Sequence, residues 1–271
     1  MAVPTAPMIT LTTDFGSKDP WVAAMKGVLC SIAPDAPLTD LSHDIAPQNV
    51  LEGALFLAAA IPYFPAGTIH LVVVDPGVGT NRKPIVVQCA GQYIVCPDNG
   101  ILTVLEQSHP VEAVHHIKNK KYRLPACSAT FHGRDIFAPA AAHLARGKKM
   151  SSFGPALKEH AHITVPEATL DAENQLHGEV IHVDHFGNCI TNIREAMLDD
   201  HADYRVQVAA QTLSPIHRTY ADVPPGTPLA LFGSTGQLEI AASMSNAAEN
   251  LDLHQGAPVT LFRPTVSGKG K

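Results

Sequence analysis

Hydrophobic and polar positions follow two different rhythms along this chain of 271 residues. Over the first 150 residues, short apolar runs alternate with longer amphipathic segments, which is typical of strands alternating with helices. We predict strands at 8–12, 38–41, 69–74, 85–88 and 93–96, and helices at 20–32 (capped by Asp19), 47–60, 101–105 and 133–144. This order predicts an α/β domain in which helices flank a mainly parallel sheet.

The second rhythm begins after Pro166. Residues 166–177 are polar and lack periodicity, as expected for a linker. Beyond them, short apolar segments separated by turn residues are found at 178–183, 205–209, 228–231, 238–241 and 258–262. Such a series predicts a small β-barrel or sandwich. We therefore expect an α/β domain over 1–165, a linker over 166–177 and a smaller all-β domain over 178–271.

Composition excludes several classes of partner. With a net charge of −6, the chain has no basic surface for nucleic acid or an anionic membrane. Its longest apolar run, 54–61, is too short to cross a bilayer. Met1–Pro7 has neither a basic nor a hydrophobic signal-peptide region, and the five scattered cysteines form no CxxC pair. We expect a cytoplasmic protein with reduced thiols.

The strongest chemical signal is the segment TIHLVVVDPGVGTNR, residues 68–82. It is an apolar strand followed at once by Asp75 and, seven residues later, by Arg82. Ligands of open α/β sheets bind outside the carboxyl ends of the strands. Asp14 also follows a predicted strand, and His132 precedes a predicted helix, so one crevice could collect all four side chains. The alternative is structural: turn caps for the two aspartates and a core position for the histidine.

The residue types leave two mechanisms open. A divalent-metal hydrolase could draw its ligands from Asp14, Asp75, Asp98, His132, His182 and His185. Alternatively, Asp75, Arg82 and His132 could hold and polarise a water without metal. Arginine disfavours the first mechanism, because a guanidinium cannot coordinate a cation and is repelled by it. Asp98 also stands in a PDNG turn that needs no function, and Arg134–Asp135 is expected to be a local ion pair.

Eight short motifs occur in order along nearly the whole chain: TDFG (13–16), HDIAP (43–47), EGA (52–54), VDPGVGT (74–80), PDNG (97–100), FHGRDIFAP (131–139), DHFGNCITNI (184–193) and GSTGQLEIA (233–241). In these motifs the chain resembles the S-adenosylmethionine hydroxide adenosyltransferases, which are related to the fluorinases and chlorinases. The resemblance implies an α/β domain, a C-terminal β-barrel, and a homotrimer with active sites between subunits.

The resemblance also implies a reaction. S-adenosyl-L-methionine is hydrolysed to adenosine and L-methionine by in-line attack of an activated water or hydroxide on the ribose 5′-carbon, with no metal and no cofactor. The catalytic set of the hydrolases falls on Asp75, Arg82 and His132. The fluorinase has tyrosine at the first and third of these positions, so the chain resembles the water-using branch. Methionine leaves as a neutral thioether, so no general acid is needed, and Asp75 or His132 takes the proton of the water.

Substrate contacts implied by the resemblance fall in both domains. Asp14 corresponds to the carboxylate that binds the ribose hydroxyls, Phe186 and Asn188 to the adenine contacts, and Asp184 and Ser234 to the contacts of the methionine end. Thr235 replaces an arginine of the fluorinase, which leaves the methionine carboxylate without a predicted partner. The alternatives are a halide-using enzyme of the same fold, a metal-dependent hydrolase of a nucleoside derivative, and a non-catalytic nucleoside-binding protein.

Overall fold

The computed structural model describes residues 6–199 and 203–263. Residues 1–5, which form most of the segment where no signal peptide is expected, lie outside these ranges. The chain divides into two compact units, one ending at Val165 and the other beginning at Pro166. Among the described residues, no helix is both long and apolar enough to cross a membrane.

The first unit is a six-stranded sheet with helices. Its strands are β1 (Ile9–Thr13), β2 (Leu38–Ser42), β3 (Ile69–Val73), β4 (Pro84–Cys89), β5 (Gln92–Pro97) and β6 (Val111–His116). Its α-helices are α1 (Trp21–Ile32), α2 (Val50–Ala60) and α3 (Ala138–Ala145). A π-helix, Gly133–Phe137, leads directly into α3, and 3₁₀ turns occupy Ile61–Tyr63, Leu105–Gln107, Lys120–Tyr122 and Met150–Ser152.

The sheet has the strand order β2-β1-β3-β5-β4-β6. The pairs β2-β1, β1-β3 and β3-β5 are parallel, whereas β4 is antiparallel to both of its neighbours. Every residue of β1 and β3 is buried, because separate hydrophobic clusters cover the two faces of the sheet. A strand that is apolar along its whole length is the expected consequence of burial on both faces. The predicted α/β class, with its mainly parallel sheet, is confirmed.

Three local predictions differ from the structure. The helix predicted at 101–105 is wrong: the chain there makes tight turns that end in the 3₁₀ turn Leu105–Gln107. Its apolar residues are buried on several sides, so no amphipathic face exists to favour an α-helix. Helix α1 is preceded by Pro20 without a side-chain cap, not by a capping Asp19. Helix α2 begins at Val50, where the side chain of Asn49 caps it.

The second unit is a nine-stranded sheet made of β7 (Thr169–Leu170), β8 (Leu176–Val183), β9 (Cys189–Arg194), β10 (Arg205–Val208), β11 (Gln211–Leu213), β12 (Ile216–His217), β13 (Pro228–Phe232), β14 (Gln237–Ala242) and β15 (Pro258–Phe262). A short helix, α4 (Ala247–Leu251), lies between the last two. The order is β11-β10-β15-β8-β9-β14-β13-β12, with β7 beside β8.

Strand β11, at one edge of this sheet, packs against β13 near the other edge. The sheet is therefore nearly closed around its own hydrophobic core, and the barrel expected for this part of the chain is confirmed. The polar segment expected to be a linker belongs to this unit. It contains β7, which pairs with the first residues of β8.

Candidate active site

The first element of the site is the turn after β3. The chain leaves the core at Val74, which is fully buried, and Asp75 follows at the carboxyl end of the parallel strands. The turn then closes on itself: the amide of Val78 donates to the carbonyl of Asp75, and the amide of Thr80 donates to the carbonyl of Gly77. The amide of Arg82 donates to the hydroxyl of Thr80 at 3.3 Å. These bonds direct Arg82 back towards Asp75.

Arg82 and Asp75 form a bidentate ion pair. The guanidinium Nε donates to Asp75 Oδ1 at 2.8 Å, and Nη2 donates to Oδ2. Only 9% of the Arg82 side chain and 5% of the Asp75 side chain are exposed, so water screens the pair weakly. The guanidinium also lies 5.2 Å from the ring centroid of Phe137. Asp75 and Phe137 therefore hold the guanidinium in one orientation.

His132 completes a three-residue cluster. Its Nδ1 lies 2.8 Å from Arg82 Nη2. Because a guanidinium can only donate, Nδ1 accepts, and the neutral imidazole carries its proton on Nε2. Burial lowers the pKa of His132, and the charge of Arg82 lowers it further. Both effects favour the neutral ring at physiological pH.

The loop before His132 is held by close backbone contacts. Gly79 has φ of +80°, and a Cβ at this position would lie 2.7 Å from the carbonyl oxygen of Ala129. The turn after β3 and the loop carrying His132 can approach this closely only because position 79 is glycine. On the other side of the loop, the fully buried Asp135 accepts from the amide of Ser128 at 2.7 Å and from Arg134 Nε at 2.6 Å. The expected local ion pair of Arg134 and Asp135 is thus present, and it anchors this loop.

Asp14 lies at the end of β1, beside β3 in the sheet. Its Oδ2 accepts from the amide of Gln48 at 2.8 Å, and Gln48 adopts the left-handed conformation with φ of +66°. Burial raises the pKa of Asp14, and the charge of Asp75 contributes in the same direction. Asp14 and Asp75 therefore lie close enough at one edge of the sheet for the charge of Asp75 to affect Asp14, and the sequence predicts that both lie at this edge.

Arg82 and His132 line a cavity of about 400 Å³, together with Thr80, His116, Arg123 and Ser128. Arg82 Nη1 is buried and, among the described residues, has no hydrogen-bond partner. A larger cavity of about 820 Å³ lies near the amino ends of the strands, lined by Ala6, Gly67, Tyr93 and Lys149 among others, and contains none of the predicted site residues. The larger cavity therefore lacks the predicted residues. We place the site at the smaller cavity, where the N–H group of Arg82 Nη1 is unpaired among the described residues.

Arg123 is a cation that the sequence analysis missed. It is half-buried in the wall of the smaller cavity, where Nη2 donates to the carbonyl of Ile117. Burial lowers its pKa, and the nearby charge of Arg82 acts in the same direction. No sequence motif marks this residue; only the fold brings it near Arg82.

The side chains proposed as ligands of a catalytic metal are not brought together. Within the described ranges, none of the six belongs to a cluster of three ligating atoms. Asp98 instead accepts from the amide of Ala161 at 2.7 Å, which supports the turn interpretation. Its neighbour Asn99, in the same turn, donates to the carbonyl of Val74 at 2.8 Å. That bond ties the PDNG turn to the residue directly before Asp75.

In the second unit, Asp184 organises its own turn after β8. Its Oδ1 accepts from the amides of Phe186 and Asn188 at 2.9 and 2.8 Å, and its Oδ2 accepts from Asn188 Nδ2 at 2.9 Å. Gly187, at the apex, has φ of +82° and packs against Asn246. The turn leaves the Phe186 ring 73% exposed, whereas Asn188 is buried. Three of the predicted substrate-binding residues therefore share one rigid turn.

Ser234, the fourth predicted residue of this unit, is exposed in the turn between β13 and β14. The next strand holds a buried carboxylate that sequence reasoning missed: Glu239, whose Oε2 accepts from the hydroxyl of Tyr220 at 2.8 Å. Burial raises the pKa of Glu239, and the charge of Asp184 raises it further. An acidic residue inside the apolar run 238–242 is the signal that could have identified it.

Models of known protein families match both units of the chain. A model described as SAM hydroxide adenosyltransferase N-terminal domain matches residues 9–154, and one described as SAM hydroxide adenosyltransferase C-terminal domain matches residues 178–260. Among curated proteins, the chain is 39% identical to an (R)-S-adenosyl-L-methionine hydrolase of Thermus thermophilus, over 92% of this chain and 97% of the relative. It is 28% identical to a fluorinase of Actinopolyspora mzabensis, over 95% and 97%.

The chain is also similar to solved structures. The chain superimposes on a conserved protein of Thermotoga maritima with a TM-score of 0.87 and 36% identity, covering 94% of this chain and 100% of that one. A conserved protein of Thermus thermophilus has a TM-score of 0.76 at the same identity and coverage.

Proposed function

Because this chain belongs to the S-adenosylmethionine hydroxide adenosyltransferase family, we propose that it is an enzyme that hydrolyses S-adenosyl-L-methionine to adenosine and L-methionine. The structural observation that carries the proposal is the contact of Asp75, Arg82 and His132 at the carboxyl edge of the sheet. Four curated relatives at 38–39% identity are named for the (R) sulfonium epimer, so we propose that epimer as the preferred substrate.

The proposed reaction forms a bond between the water oxygen and the ribose 5′-carbon while the bond from that carbon to sulfur breaks. The sulfonium takes the electron pair and leaves as the neutral thioether of methionine. Water and a cation give neutral products and one proton, so positive charge moves from sulfur to the attacking oxygen. The protein must orient the water in line with the breaking bond and take up its proton.

We assign the proton to Asp75 and the orientation of the water to Arg82 and His132. With Nδ1 of His132 occupied by Arg82, its Nε2 is a donor, and the neutral ring cannot take a proton without breaking that contact. The carboxylate of Asp75 keeps further lone pairs after binding Arg82. The unpaired Nη1 of Arg82 is available to donate to the oxygen as it acquires hydroxide character.

Substrate contacts in this proposal follow the family pattern. Asp14 binds the ribose hydroxyls, Phe186 stacks on adenine, Asn188 binds its edge, and Asp184 with Ser234 binds the methionine end. The exposed ring of Phe186 supports a stacking role, because a large apolar side chain is costly to leave in water. The homotrimer with shared sites, the cytoplasmic location and the independence from metal and cofactor remain predictions.

One incubation tests the reaction. Protein treated with a chelator is supplied with S-adenosyl-L-methionine in ¹⁸O-labelled water, and the products are separated and weighed by mass spectrometry. We expect adenosine carrying one ¹⁸O atom and unlabelled methionine. Label in any other product would place the attack at another carbon. A mixture of the two sulfonium epimers, analysed for the one that remains, tests the stereochemical proposal.

The same incubation separates the alternatives. Activity that disappears with chelator and returns with a divalent cation would favour a metal-dependent hydrolase. Formation of 5′-chloro-5′-deoxyadenosine in chloride buffer would favour a halide nucleophile. Binding of adenosine without any turnover would indicate a nucleoside-binding protein that has no catalytic activity.

A further inference from the structure

A second group of polar side chains in the first unit lies outside the catalytic cluster and outside both cavities described above. It consists of Glu106, in the 3₁₀ turn Leu105–Gln107, and of His160 and His162 in the segment that ends the unit. His160 Nε2 lies 2.7 Å from Glu106 Oε1, and His162 Nε2 lies 2.9 Å from Oε2. One ligand atom from each residue falls within a span of 4.8 Å.

The backbone holds this geometry from both sides. The amide of Ala161, between the two histidines, donates to Asp98, and the amide of Ile163 donates to the hydroxyl of Thr103 at 3.1 Å. Gly100 lets the segment approach, since a Cβ there would lie 2.6 Å from a methyl of Ile163. The two imidazole rings lie 4.7 Å apart at a tilt of 35°, so both present the same edge to one carboxylate. The cluster is therefore preformed.

We propose that Glu106, His160 and His162 form a binding site for a divalent transition-metal ion, best suited to zinc. Two imidazoles and one carboxylate are a donor set that zinc prefers, with a remaining position for water on the solvent side. With bonds of about 2.1 Å, neighbouring ligand atoms of a tetrahedral site lie roughly 3.4 Å apart. The two histidines contact different oxygens of Glu106, and each N–O contact needs to open by less than about 1 Å to admit an ion.

Burial favours an ion here over chance proximity of surface groups. The side chains of Glu106 and His160 are 20% and 13% exposed. The side chain of His162 is 57% exposed, so the cluster is open to solvent on that side. The ion would fasten the end of the first unit to the 3₁₀ turn. None of its ligands belongs to the proposed catalytic set, so the reaction proposed above does not depend on this ion.

Metal titration tests the proposal without reference to substrate. Tag-free protein stripped with chelator is titrated with ZnCl₂ in a calorimeter and with CoCl₂ by visible absorption. We expect one ion per chain, a cobalt spectrum typical of tetrahedral nitrogen and oxygen ligands, and a higher unfolding temperature with zinc. Glu106→Gln and His160→Ala should weaken binding about tenfold or more. Glu159→Gln, an exposed carboxylate one residue away, and His254→Ala, an exposed histidine of the second unit, are the matched controls.

Two results would overturn the site: no saturable uptake of zinc, or unchanged affinity in both ligand variants. If Glu106→Gln fails to fold, His162→Ala replaces it, since that side chain is 57% exposed. Hydrolysis by the stripped protein is expected to persist. Its loss would reject metal-independent catalysis while leaving the binding measurement valid, so the two proposals fail separately.

Discussion

The two units hold their predicted site residues in different ways. In the first, Asp75, Arg82 and His132 come from two loops far apart in sequence and contact one another through side chains. In the second, Asp184 binds the backbone and side chain of its own turn. Among the residues that the structure describes, the first arrangement leaves a guanidinium N–H unpaired beside a cavity, whereas the second leaves an exposed aromatic ring. This contrast suggests chemistry in the first unit and recognition in the second.

The largest effect is expected from Arg82→Ala. Loss of the guanidinium removes the donor to the developing hydroxide, so kcat should fall about 10³-fold while KM changes little. Steady-state kinetics with chromatographic detection of adenosine measures both. Arg205→Ala, which removes an exposed arginine of β10, is the matched control. Equal losses in kcat and substrate affinity would remove the distinction between the two units.

His132→Asn sharpens the same comparison through pH. The proposed reaction uses the neutral ring of His132, whose pKa lies below the ordinary value, so kcat/KM should fall as pH drops through that lowered pKa. The variant should be about 100-fold slower at neutral pH and should lose this part of the acid limb. We expect the part of the acid limb that remains at lower pH to arise from carboxylates such as Asp14.

An unchanged pH profile in His132→Asn would show that histidine ionisation does not control the rate. The control is His254→Ala, which should keep both the rate and the profile of the wild type.

Asp184→Asn tests the second unit. The amide would place a donor against Asn188 Nδ2, so stability should fall by about 1–2 kcal/mol. KM should rise about tenfold because the ammonium of the substrate loses a charged partner, with kcat nearly unchanged. Denaturant unfolding and steady-state kinetics are measured on the same samples. A stability loss without any change in KM would mean that this carboxylate only shapes its turn.

The smallest effect is expected from Phe186→Ala. The ring is 73% exposed, so its removal should leave the unfolding free energy unchanged. Lost stacking on adenine, worth about 1 kcal/mol, should raise KM about fivefold. Met197→Ala, another exposed apolar side chain of the same unit, should change neither quantity. An unchanged KM in Phe186→Ala would remove this ring from the site.

Sequence could predict those parts of the molecule that depend on local pattern. The apolar run before Asp75 identified β3, and the position of Asp14 after another such run placed two carboxylates at one edge. Segment 101–105 was misassigned because its apolar residues satisfy tertiary packing without forming a helix. Arg123 and Glu239 were missed because long-range packing, which spacing along the chain does not encode, gives them their surroundings.

Our proposed assignment of the proton to Asp75 also needed coordinates. Sequence leaves Asp75 and His132 equivalent as bases, whereas the contact between Arg82 and Nδ1 of His132 distinguishes them. Motif order, by contrast, was sufficient to identify the family.

The π-helix Gly133–Phe137 has a consequence for how this fold can vary. A π turn holds one residue more than the α turn it replaces, and each residue of an α-helix accounts for about 100° of rotation. Deleting one residue here would restore regular winding ahead of α3 and swing the imidazole away from its arginine by roughly a quarter turn. Loss of a single codon could thus leave the fold intact while abolishing catalysis, which gives evolution a short route to folded but inactive descendants.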